Sequence, residues 1–122
     1  MERREATKLL AEERSRLEQL RASIEAEAAA LSERGMTGEL SSADQHPADT
    51  ATETFEREKD LSILDRIDAQ LADVARAEKR LAAGTYGTCE ACGRPIDEDR
   101  LRARPAARFC LDDQHLAERA IA

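Results

Sequence analysis

Gly84–Asp113 reads GTYGTCEACGRPIDEDRLRARPAARFCLDD and contains all three cysteines of the 122-residue chain. Cys89 and Cys92 form a C-x-x-C pair, and Cys110 follows after seventeen intervening residues, 93 to 109. Two thiolates in a tight turn, with a third returning from a distance, match the ligand spacing of a structural zinc site. Gly93, directly behind Cys92, suits the sharp turn such a knuckle needs. Three places after Cys110, where a second C-x-x-C would close a tetrahedron, stands Asp113, and His115 follows two places later.

Outward from this stretch the composition bounds the fold. The chain has one Tyr, two Phe and no Trp, and 37% of its residues are charged. That supplies too few large apolar side chains for a thick core. It fits long helices sharing a narrow seam, beside a small unit tied by metal. The expected class is mainly α: a long antiparallel coiled-coil hairpin, a small C-terminal zinc-finger unit and a short terminal helix.

The N-terminal side carries the hairpin pattern. Leu10, Leu17, Ile24 and Leu31 recur every seven residues among good helix formers, one apolar stripe on a solvated rod. Gly35 is placed to stop this helix. Residues 35–52 turn rich in Gly, Ser, Thr, Asp and Pro and lose the period. A second arm is predicted to start near Thr50–Glu53, a T-x-x-E capping box, and to run to about Ala83. Its stripe is Leu64, Ile67, Leu71, Val74 and Leu81, with Gly84 as the stop. Each arm would be roughly 45–50 Å long. The expected division is therefore 1–83 for the hairpin, with a tip loop at about 35–52, and 84–122 for the finger and terminal helix.

Net charge is −7, unevenly spread. Residues 1–83 hold 13 basic and 19 acidic side chains (−6), residues 84–110 hold 5 and 4 (+1), and residues 111–122 give −2. An acidic chain without a basic stripe is poorly made to grip nucleic-acid phosphates, so direct DNA binding is not expected. No apolar run reaches membrane-span length, and the first residues lack the apolar core of a signal peptide. Cysteines in metal spacing without such a signal point to a reducing, cytoplasmic setting. No set of nucleophile, base and oxyanion donors can be assembled, so no enzyme is expected.

GTYGTCEACGRPI, RLRARPAARFC at a fixed distance, and HPADTATETFEREKD before the second arm together resemble the DksA/TraR-type zinc-finger proteins, closest to their Gram-positive branch. The likeness covers about residues 1–118. It implies a finger seated at the rim of the secondary channel of RNA polymerase, and a coiled coil whose acidic tip approaches the catalytic magnesium. It implies one structural Zn2+ held by Cys89, Cys92, Cys110 and a fourth donor. Asp113 occupies the family's ligand position; His115 and a water are the alternatives. The polymerase-facing tip would present Asp44 and Asp49, although His46 stands where the family's first tip carboxylate is usual. Arg104 falls at a position some members use toward ppGpp or the polymerase rim, while Gln114 replaces a lysine used with it. A monomer is expected. Two other functions suit the same fold: a coiled-coil adaptor for another partner, and a zinc-thiolate redox-responsive stress protein.

Overall fold

The computed structural model describes the backbone of residues 1–40 and 47–121, and the side chains of residues 1–31 and 54–120. Four helices follow one another: α1 (Arg3–Leu40), α2 (Pro47–Ala83), α3 (Glu98–Ala103) and α4 (Leu111–Ile121). The fold is mainly α-helical, two long packed helices followed by a small C-terminal cluster and a short terminal helix, as the heptads and the cysteine spacing lead one to expect.

The described residues form two compact units, and both long helices contribute to each. In the unit of Leu17–Ala69, the buried side chains are Leu17, Leu31, Asp60 and Ile67. Arg21 Nε donates to Asp68 Oδ1 at 2.7 Å, tying the two helices across the seam. In the unit of Met1–Arg16 and Gln70–Ala122, Ala6 and Leu10 of α1 are buried, as are Val74 and Ala77 of α2. Arg14 Nε donates to Glu78 Oε1 there at 3.0 Å. Such exposed ion pairs set register more than they add stability.

Helix ends depart from the sequence reading. α1 passes through Gly35 and Gly38 to Leu40. An internal glycine weakens a helix by only about 1 kcal/mol, which by itself does not end one. α2 begins at Pro47 rather than at the Thr50 box. Proline fits a first turn because the missing N–H has no helical acceptor there.

The other end of α2 stops where expected. Gly84 adopts φ +79°, its N–H donates to Leu81 O at 3.3 Å, and Thr85 N–H donates to Arg80 O at 2.8 Å. This is the Schellman pattern, in which a left-handed glycine satisfies the last carbonyls. Beyond it, Cys89, Ile96 and Leu101 form a second small core, flanked by Met1, Tyr86, Ala107, Phe109 and Cys110. Tyr86 Oη donates to Pro105 O at 2.8 Å, and Arg100 Nε to Phe109 O at 3.1 Å. Few apolar side chains take part, so polar ties and metal must do much of the holding. No helix among the described residues is long and apolar enough to cross a membrane.

Candidate metal centre

The knuckle is a tight reversal. Cys89 N–H donates to Arg94 O at 2.8 Å, Gly93 N–H to Cys89 O at 3.0 Å, and Ile96 N–H to Gly87 O at 2.7 Å. Thr88 and Pro95 form an isolated antiparallel bridge across it. Gly93 takes φ +73°, the left-handed conformation expected behind the second cysteine. Cys110 then lies directly before α4, and Asp113 lies in the first turn of that helix. There an acidic side chain also suits the helix dipole.

These elements bring Cys89, Cys92, Cys110 and Asp113 together, with one donor atom from each, all within 4.8 Å of one another. Cys92 Sγ and Cys110 Sγ are 3.9 Å apart. Tetrahedral zinc with Zn–S of about 2.3 Å separates its sulfurs by roughly 3.8 Å. Asp113 Oδ2 lies 3.1 Å from both Cys89 Sγ and Cys110 Sγ, on the remaining corner. Three thiol sulfurs and one carboxylate oxygen, at these distances, fit a single Zn2+. Asp113, not His115, completes the group; His115 is exposed and supplies none of its donors.

Proton affinities divide the donors. Burial opposes ionisation of Cys89, but the backbone N–H groups of Cys110, Cys92 and Ala91 outweigh it, and the thiol titrates below its ordinary value. Asp113 is held below the usual carboxylate range by hydrogen bonds from Cys110, Cys89 and Cys92. The same carboxylate raises Cys110. At Cys92 the N–H of Arg94 favours thiolate, yet Asp113, burial and the other two sulfurs push the thiol up to about 12. Loading zinc therefore displaces thiol protons, and affinity must climb with pH.

Beside the knuckle, Glu90 gathers three arginines. Arg76 Nε and Arg80 Nη1 reach its Oε1, the latter at 2.8 Å, and Arg108 Nε reaches Oε2 at 3.0 Å. Its side chain is 13% exposed. Burial opposes its charge, but hydrogen bonds from Arg76, Arg108 and Arg80 prevail and bring its carboxyl to about 2. Glu90 N–H also donates to Arg108 O at 2.9 Å. This residue thus fastens α2, the C-x-x-C turn and the approach to Cys110 to one another. Sequence reading missed it, because its partners lie 14, 10 and 18 residues away with no period linking them.

Arg104 is exposed and makes no ion pair among the described residues. The Glu13 carboxyl is lowered chiefly by the Arg16 hydrogen bond, and the charge of Arg104 adds the least to that lowering. Asp44 lies outside the described residues. Asp49 is in the first turn of α2, and its side chain lies outside the described ones.

Known proteins carry the same finger. Residues 84–119 match the family described as "Prokaryotic dksA/traR C4-type zinc finger". The structure of transcription factor DksA2 from Pseudomonas aeruginosa aligns with a TM-score of 0.51 and 30% identity, covering 92% of this chain and 84% of that one. The chain belongs to the DksA/TraR zinc-finger family. Among curated proteins, the "Uncharacterized protein YteA" of Bacillus subtilis is 46% identical over 70 residues, 57% of this chain and 29% of YteA. The RNA polymerase-binding transcription factor DksA of Haemophilus influenzae is 38% identical over 72 residues, 59% of this chain and 50% of that protein. Over these matches the chain spans half or less of the relatives' length. Where the family is described as four-cysteine, this member has three, and Asp113 takes the fourth corner.

Proposed function

We propose that this chain is a regulator of transcription that binds RNA polymerase at its secondary channel without binding DNA. The observation that carries this reading is the DksA2 likeness over 92% of the chain, which spans the helices as well as the finger. In this reading the finger, locked by one structural Zn2+, docks at the channel rim. Asp49 and Asp44 present carboxylates near the catalytic magnesium, where charge acts on the metal and its water. Arg104 contacts the rim or ppGpp. The chain acts as a monomer in the cytoplasm, and its acidic balance suits a partner with basic surfaces rather than a phosphate backbone.

The test is retention of core RNA polymerase from the same organism on the immobilised, zinc-loaded chain, followed by transcription assays. Retention and a promoter-dependent effect are expected. Asp49→Lys should remove the effect while leaving retention intact, and Arg104→Ala should weaken retention or any ppGpp response. Absence of polymerase retention would reject this reading.

A second reading, a redox-responsive stress protein, has its own support. Cys92 is exposed and its sulfur is 3.9 Å from that of Cys110, close enough for oxidation to join them with little movement. General stress protein 16O of Bacillus subtilis is 38% identical over 78 residues, 63% of this chain and 48% of that protein. Zinc release by mild peroxide, with transcription unaffected in either state, would favour it over the first.

A further inference from the structure

The fourth corner of the metal group differs from the other three in chemistry and in access. Asp113 enters through a single atom, Oδ2. Cys89 is 2% exposed and packs in the core with Ile96 and Leu101. Asp113 and Cys110 are half-buried, and Cys92 is exposed. The group is thus closed behind Cys89 and reachable from the side of Asp113 and Cys92. Carboxylate oxygen is the hardest donor in the set, whereas zinc also accepts soft thiolate, the donor the other three corners use.

We propose that Asp113 is a displaceable ligand and that the corner it holds is a binding site for an external low-molecular-weight thiolate. The exchange breaks one carboxylate–metal bond and forms one thiolate–metal bond. The proton of the incoming thiol passes to solvent, the three cysteine bonds stay, and no atom changes oxidation state. The inference rests on metal loading and not on polymerase binding.

The full chain loaded with Co2+ in place of zinc reports the exchange through sulfur-to-cobalt charge-transfer absorption. Wild type should begin with the intensity of three thiolates. On titration with 2-mercaptoethanol it should rise saturably by about one third, as a fourth sulfur joins, with cobalt still bound after gel filtration. Asp113→Cys should begin at the higher intensity and not respond; Asp113→Ala should respond at lower thiol concentrations than wild type. An unchanged wild-type spectrum through millimolar thiol overturns the proposal, as does cobalt stripped away by the thiol. Failure of cobalt to bind with three-thiolate intensity, seen before any thiol is added, overturns the metal reading and the proposal together. The wild-type titration decides the matter even if a variant does not fold.

Discussion

Asp60 and Ile67 stand one heptad apart on the same stripe of α2, and both are buried, at 7% and 2% exposure. A carboxylate thus occupies a seam position that Ile67, and Val74 one heptad further, fill with apolar side chains. A polar residue at a seam position fixes register at a cost in stability. Asp60→Leu should therefore raise the stability of the chain by about 1–2 kcal/mol, read from urea unfolding. A lower midpoint in the variant would mean that the carboxylate is a net stabiliser.

Glu90 gives the opposite case. Glu90→Gln leaves three guanidinium groups facing a neutral amide in a mostly buried place, and should cost about 1–3 kcal/mol. The arginines are themselves partly exposed, which keeps the loss below that of a fully buried pair. Equal unfolding midpoints for the two proteins would remove Glu90 as the fastener of the finger.

The same residue sets a pH dependence. Its carboxyl is lowered in the fold from an ordinary 4.5 to about 2, so its stabilising effect is complete above about pH 4.5 and is lost as pH falls toward 2. The difference between wild type and Glu90→Gln, measured on metal-free protein, should be constant above pH 5 and shrink between pH 4.5 and 2. A difference that persists undiminished at pH 2 would contradict the lowered carboxyl.

Gly93 isolates backbone strain from crowding. A Cβ added there meets no heavy atom within 4 Å, but the backbone stays at φ +73°. Gly93→Ala should cost about 1–2 kcal/mol and Gly93→Asn clearly less, since asparagine tolerates this conformation. Denaturant unfolding of the zinc-loaded variants would show the order.

Metal removal should separate the cysteines by burial. Chelation should lower the thermal midpoint, because metal bound only by the folded chain adds to its stability. Cys89→Ser should be worse than Cys92→Ser. Cys89 is buried against Ile96 and Leu101, whereas Cys92 is exposed. Zinc content and thermal midpoints of the two variants would decide it, and equal losses would argue against a packing role for Cys89.

Much of this architecture can be read from residue spacing. Steps of seven pick out Leu10, Leu17, Ile24 and Leu31, all buried but the half-buried Ile24, and in the second stripe Ile67 and Val74 are buried while Leu64, Leu71 and Leu81 are half-buried. The C-x-x-C pair, the distant Cys110 and the position of Asp113 mark the metal group that the fold assembles. Helix ends were less legible, because Gly35 weakens a helix without being able to end it, and Pro47 opens one where composition suggests a loop. Asp60 carries the right spacing and the wrong polarity, so a search for apolar stripes passes over it. Glu90 is legible only in three dimensions, since its partners come from α2 and from beyond α3.

Arg80 Nη2 also donates to two backbone carbonyls, Thr85 O at 3.1 Å and Thr88 O at 2.9 Å, on the way into the C-x-x-C turn. Both contacts run from the last turn of α2 to the backbone ahead of Cys89, so the helix end and the entrance to the turn move as one piece. Movement of the helix end is thus passed directly to the backbone that carries the first cysteine.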